Sequence, residues 1–285
     1  MRVEFQRPAS VQEALEALTG AGDEGKLIAG GTALALMLRH RLIAPSILIS
    51  LDRVEGLTGI GSSAHAIRIG AMTRLREVEV SAEVRSTFPA LAAACGEVGN
   101  MRVRNQATLG GNLAEADYAS DPPTILLALG ASVRAVSTAG ERLIPVTEFF
   151  QGFYTTALAQ GEILAEVVIP RWPVTSRMTY AKYRSRSQED RPCVAVAAVA
   201  NLNDGICTGL HLAVGAACEV PRRLAEVEAL AEGRALSEKL IHEIADGYAG
   251  AVETLEDLRG SSWYRTEMIR VFVRRALVEV SSGRR

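Results

Sequence analysis

The chain of 285 residues reads as an α+β protein in two parts. Three observations predict this. Up to about residue 172, short apolar runs of strand length alternate with segments of helical period. Arg171-Trp172-Pro173-Val174 then interrupts the pattern as a linker. Beyond it strands come first, two of them joined by the hairpin turn Asn203-Asp204-Gly205, and helices come last.

Ser10-Val11-Gln12-Glu13 is a capping box. It opens a helix with Val11, Ala14, Leu15 and Leu18 on one face, ending at Gly20 or Gly22. Lys26 to Ala29 is a short strand, followed by Gly30-Gly31-Thr32 and the helical run ALALMLRHR. Ile47 to Leu51 is the next strand. Gly59-Ile60-Gly61-Ser62-Ser63-Ala64 imitates a dinucleotide fingerprint, but a strand, Ala66 to Gly70, follows it where the fingerprint must open a helix. A hairpin is the better reading. Thr73 begins a helix, and Pro89 sits in the first turn of another. Gly99 to Asp121, polar and rich in glycine and asparagine, reads as a long functional loop. Pro122-Pro123 starts the helix TILLALG. A hairpin turns at Ala139-Gly140, a short helix covers Glu148 to Phe150, and Leu164 to Ile169 is a strand that stops at Pro170. In the second part Met178 to Tyr183 is a strand and 185–192 a charged, mobile loop. Val194 to Asn201 and Ile206 to Gly215 form the hairpin. Helices cover about 222–232, 237–251 and 262–280, with Leu240, Ile244 and Tyr248 in the core.

A net charge of −2 offers no basic surface for nucleic acid. The opening MRVEFQRPAS has no apolar signal core, and no apolar run reaches the roughly 18 residues of a membrane helix. A soluble cytoplasmic protein is expected. Cys95, Cys193, Cys207 and Cys218 make no C-x-x-C pair, and His40, His65, His211 and His242 are scattered, so no metal site is expected in this chain. With no nucleophile elbow, P-loop or nucleophile–base pair, no catalytic residue is assigned. Any chemistry falls to a bound cofactor.

The two Gly-Gly turns carry the functional reading. In AGGTALAL (29–36), free amides precede a helix start with no side chain in the way, and Thr32 is the N-cap or an extra donor. In TLGGN (108–112), Gly110-Gly111 lets backbone amides approach a ligand between the hydrogen-bonding side chains of Thr108 and Asn112. Either turn alone is an ordinary connection. Together, with Asp121 nine residues after Asn112, they suit a diphosphate gripped from two sides. Without a catalytic dyad this favours a dinucleotide cofactor over a hydrolase.

On these residues the sequence resembles the FAD-binding medium subunit of the molybdenum hydroxylases, the family of xanthine dehydrogenase and carbon monoxide dehydrogenase flavoprotein subunits. The resemblance rests on Leu27 to Thr32, on Arg102 to Asn105 with Thr108 to Asn112, on Asp121, on Gly161 to Leu164 leading to Ile169-Pro170, and on Tyr180 to Arg184. It implies a PCMH-type FAD-binding domain at 1–172, with subdomains at about 1–54 and 55–172. A C-terminal domain of three-stranded antiparallel sheet plus three-helix bundle follows at 175–285. Leu27, Ile28, Ala29, Gly30, Gly31, Thr32, Ala33 and Leu34 would wrap the pyrophosphate. Thr108 and Asn112 would hydrogen-bond the phosphates or the flavin side, with Ala107, Gly110 and Gly111 beside them at the cofactor. Asp121 would bind a hydroxyl-bearing part of FAD, Leu164 would pack on a ring, Lys182 would lie near the flavin and Tyr183 would shield it. The 183–192 segment matches a loop that gates the electron acceptor in relatives.

The resemblance also implies that molybdopterin belongs to a large partner subunit and [2Fe-2S] clusters to a small one, in a heterotrimer or a dimer of heterotrimers. FAD would pass electrons from the clusters to an external acceptor. Ala33 stands where relatives often carry serine, and Ala107 where they often carry glycine. Two rival readings stay open at this point. A self-contained FAD oxidase would need a base or a flavin attachment residue, and the histidines lie outside both turns. A module that has lost its flavin sits poorly with two intact glycine pairs.

Overall fold

The computed structural model describes residues 3–187 and 189–282. The first sheet is parallel, with Ile47–Ser50 between Glu4–Gln6 and Gly25–Ile28. The helix Val11–Ala21 leads from Glu4–Gln6 to Gly25–Ile28; Ser10 Oγ accepts from the Glu13 amide, while the Glu13 carboxylate reaches the Ala9 amide. Gly25–Ile28 is an edge strand. Its C-terminal end runs into Gly30-Gly31, and the C-terminal ends of parallel strands are where such sheets bind ligands.

The second sheet is antiparallel. Its order is Ile60–Ser62, Ala66–Gly70, Ile163–Pro170, Ser132–Ser137 and Gly140–Pro145. The first two strands are the hairpin that displaces the dinucleotide fingerprint. Ile67, Leu91, Leu109, Ile125 and Val167 join sheet and helices in one core. The helix expected from Thr73 begins at Leu75, because the Thr73 hydroxyl is held by the backbone of Gly59. A further helix, Ala82–Thr87, is capped by Ser81.

Gly99–Asp121 is not one loop. Asn100 accepts from the Val103 amide and opens the helix Met101–Arg104; Thr108 accepts from the Gly111 amide and opens Leu109–Glu115. Glycine disfavours a helix by about 1 kcal/mol per residue. Here the Thr108 cap and the burial of Leu109 and Leu113 outweigh that.

The third sheet holds Arg177–Tyr183, Val194–Asn203 and Ile206–Gly215, extended by the two-residue strand Arg222–Arg223. Asp204 and Gly205 form its hairpin turn with φ of 49° and 81°. The helix expected at 222–232 is confined to Ala225–Glu228 and a 3₁₀ turn to Ala231, since the sheet takes up the two arginines. Glu238–Ala251 and Ser262–Ser282 pack on the sheet, and Leu240, Ile244 and Tyr248 are core residues. Val194 to Ala200 is apolar throughout because its two faces enter different cores, Ala197 and Val199 one and Val194 and Val196 the other. No described helix is long and apolar enough to cross a membrane.

Candidate cofactor-binding site

The two Gly-Gly turns meet. A Cβ on Gly30 would lie 2.0 Å from the Gln106 carbonyl oxygen and 2.9 Å from the Ala107 Cα, and one on Gly111 would lie 3.2 Å from the Ala29 Cβ. Glycine is what lets these backbones touch. Gly31 has a φ of 72°, in the left-handed region that L side chains rarely enter. Leu27 to Ala33 are half-buried and Leu34 is buried.

The turns divide the labour differently from the expectation. Among the described residues, none of the amides from Gly30 to Leu34 donates to a protein acceptor. Ala33, without a capping side chain, holds the N-cap position expected of Thr32. Five successive donors in one turn suit an anion such as a diphosphate. In the second turn the amides are engaged: Leu109 donates to Thr73 O, Gly110 to Ala71 O, Gly111 to Thr108 Oγ1 and Asn112 to Thr108 O. A Cβ on buried Gly110 would lie 2.4 Å from the Ala71 Cβ. The expectation that Gly110-Gly111 turns its amides to a ligand is therefore corrected: Gly110 admits the Ala71 backbone, and Gly111 admits the first turn. What this side offers is a side chain. Asn112 Oδ1 accepts from Ser120 Oγ at 2.8 Å, leaving Nδ2 without a protein partner among the described residues.

Asp121 and Lys182 come together from opposite parts of the chain as a buried ion pair, Nζ to Oδ2 3.0 Å. Tyr180 donates to Asp121 Oδ1 at 2.6 Å, and Lys182 also donates to the Glu97 carbonyl at 2.7 Å. Burial pushes the Asp121 carboxyl up to about 6, against the pull of the Lys182 ammonium and the Tyr180 hydroxyl. Both groups are already held by protein, so contact with a ligand competes with the pair. Tyr183 lies on the other face of its strand. Its hydroxyl is bonded to that of Tyr264, and its half-buried ring packs 5.3 Å from Phe272 against the second core. Leu164 is 5% exposed, paired with Ala135 beside a bulge and part of the first core. Arg104 is occupied by Glu79 at 2.9 Å and by the Val98 and Gly99 carbonyls.

Beyond Tyr183, Arg184 pairs with Glu97 and Glu189 accepts from Asn100 at 3.1 Å, around a polar cavity of about 430 Å³. Residue 188, within the loop expected to gate the acceptor, lies outside the described residues. Sequence reasoning gave Tyr180 and Ser120 no role. Strand alternation places Tyr180 on the Lys182 face and could have found it; Ser120 carries no comparable signal. Among the described residues no three His, Cys, Asp or Glu side chains are placed to hold a metal.

Residues 1–172 match the FAD binding domain in molybdopterin dehydrogenase, and residues 179–280 match the CO dehydrogenase flavoprotein C-terminal domain. The chain is 33% identical to the glyceraldehyde dehydrogenase medium chain of Sulfolobus acidocaldarius, over 97% of this chain and 98% of that one. It is 32% identical to the nicotine 6-hydroxylase medium subunit of Paenarthrobacter nicotinovorans, over 98% of each. The structure of carbon monoxide dehydrogenase from Hydrogenophaga pseudoflava lacking the Mo-pyranopterin moiety superposes with a TM-score of 0.96 at 31% identity, covering 99% of this chain and 98% of that one. A parallel edge strand that ends in free amides, two interlocked glycine turns and full-length likeness to medium chains agree: the chain belongs to the family of FAD-binding medium subunits of the molybdenum hydroxylases, oxidoreductases all.

Proposed function

We propose that this chain holds FAD against its touching Gly-Gly turns and is the electron outlet of a heteromeric molybdenum-containing hydroxylase or dehydrogenase. The observation that carries the reading is the run of unengaged amides from Gly30 to Leu34. Their spacing and polarity fit a diphosphate, and Asn112 Nδ2 adds a donor from the facing turn. When bound, FAD supplies the redox chemistry that no side chain here supplies. The chain's residues bind and orient it. Gly31 shapes the amide turn, Gly30 and Gly111 keep the turns in contact, and the Asp121–Lys182 pair fixes the segment that carries Ser120.

In this reading a large partner subunit carries molybdopterin. A small one carries the [2Fe-2S] clusters from which electrons arrive, and an external acceptor takes them. Medium chains and medium subunits among the relatives support a multi-subunit assembly, a heterotrimer or its dimer. The chain divides near residue 172 into the FAD-binding domain and the C-terminal domain at 175–285.

The test is metal and flavin analysis of the complex purified with its partners. FAD is expected on this chain, with molybdenum and iron on the others. Gly31→Val forces a β-branched residue into the left-handed region; it is expected to lose most of the FAD and keep the molybdenum and iron, whereas Gly31→Asn, tolerated there, keeps all three. A Gly31→Val complex with a full complement of FAD would sink the assignment of this turn.

A further inference from the structure

The turn 116–121 links the Thr108-capped helix to the Pro122 helix, and much of what holds it lies in the other half of the chain. Ala116 adopts a left-handed φ of 49° without being glycine, so this turn is not held by its own preferences. Asp117 pairs with Arg191 at 2.8 Å. The Tyr118 hydroxyl donates to Asp257 Oδ2 at 2.7 Å and accepts from Arg259 Nη1 at 2.8 Å. Asp257 in turn binds Arg265, a fully buried arginine that also donates to the Cys193 and Ala216 carbonyls. Ala119 packs with Ala195 and Ala216. The same turn then delivers Ser120 to Asn112 and Asp121 to Lys182.

We infer that Tyr118, clamped by Asp257 and Arg259 of the C-terminal loop, is a positioning residue for the cofactor site, acting through Ser120 on the orientation of Asn112. Among the described residues the Tyr118 side chain makes no hydrogen bond to either turn that would grip the cofactor. Its ring packs edge-on against Phe153 at 5.3 Å and lies under the Arg259 guanidinium, 6.0 Å from it, while its hydroxyl adds the hydrogen bonds that tie the turn to the C-terminal loop. When the hydroxyl holds, Ser120 Oγ donates to Asn112 Oδ1 and the Nδ2 donor is presented to the ligand. When it is lost, Ser120 shifts with the turn and Asn112 is free to rotate. This inference rests on the FAD reading above and extends it to a residue outside the site.

The experiment is FAD titration of the full chain, followed by flavin fluorescence and by the visible circular dichroism of the bound flavin. Tyr118→Phe keeps the ring and removes only the hydroxyl. It is expected to raise the FAD dissociation constant about tenfold, the scale of one lost hydrogen bond to a charged cluster, and to change the dichroism. Ser120→Ala is expected to do the same, and the double variant to be no weaker than the worse single one, because both act through one contact. Arg259→Met, which leaves the turn's residues intact, is expected to follow Tyr118→Phe and covers the case in which the phenylalanine variant fails to fold. An unchanged dissociation constant and spectrum in Tyr118→Phe, or additive losses in the double variant, overturn the inference while the FAD reading stands. A wild-type chain that takes up no FAD overturns both.

Discussion

Lys182 shows how strongly one residue can depend on its partner. Its ammonium side chain is 2% exposed, held by Asp121 and the Glu97 carbonyl. Replacing it with methionine leaves a carboxylate buried without its cation, which is expected to destabilise the chain by about 3–5 kcal/mol at neutral pH. The pH dependence follows from the direction of the Asp121 shift. An acid whose pKa rises from 3.8 to about 6 on folding favours the fold in full below 3.8, and that contribution is lost as the pH climbs through 6. Without Lys182 the pKa rises further. The deficit of Lys182→Met is therefore largest near pH 7 and shrinks toward pH 4; urea unfolding across that range measures it, and a deficit independent of pH would count against a charged Asp121. That Lys182 and Asp121 meet was not legible in the sequence, where 61 positions separate them. The opposite facing of Lys182 and Tyr183 was legible, since neighbours on a strand cannot share a face.

At the scale of elements, the Thr108-capped helix explains what local pattern can and cannot announce. The Ser10 cap and the Asn203-Asp204-Gly205 turn act within a few residues of themselves, so they were readable, as was the meeting of strand, Gly-Gly and helix at residue 30. Leu109–Glu115 was not. Its two glycines argue for a loop, and the contacts that overrule them come from Ala71 and Thr73, far away in sequence. For the same reason the purpose of Gly110 was misread: its missing side chain makes room for protein. Gly110→Ala is accordingly expected to lower stability by about 1–3 kcal/mol, the usual penalty of overpacking, because the new methyl would press on the Ala71 backbone at 2.8 Å. Thermal unfolding of the apo chain measures this directly; an unchanged midpoint would mean that the helix can slide away from Ala71.

Across the whole molecule, the Tyr118–Asp257–Arg259–Arg265 cluster is a polar link between its halves. Burial works to raise the Asp257 pKa, but the Tyr118 hydroxyl, the Arg259 amide and the Arg265 guanidinium outweigh it and hold the carboxyl well below the usual range. Such a group stabilises the fold at every pH above its unfolded value of 3.8, and its contribution fades as the pH falls toward the folded pKa. Asp257→Asn leaves the fully buried Arg265 without its carboxylate and is expected to cost about 3–5 kcal/mol at pH 7. The gap to wild type should narrow as the pH falls below 3.8, where the unfolded wild-type carboxyl takes up its proton before the folded one does. Melting curves from neutral pH down to about pH 2 test this, and a gap of constant size would exclude Asp257 as the acid-sensitive link.

The clamp on Tyr118 also bears on how the protein is made. Arg259 follows Tyr118 by 141 residues. A ribosome adds 5–20 residues each second, so the turn beside the glycine helix emerges on the order of ten seconds before the last side chain that anchors it. Asp121 lacks Lys182 until 61 further residues have been made, and the Tyr118 hydroxyl lacks Arg259 for the whole of that interval. If Tyr118 positions the site as inferred, flavin loading is expected to wait for the synthesis of residue 259, near the other end of the chain.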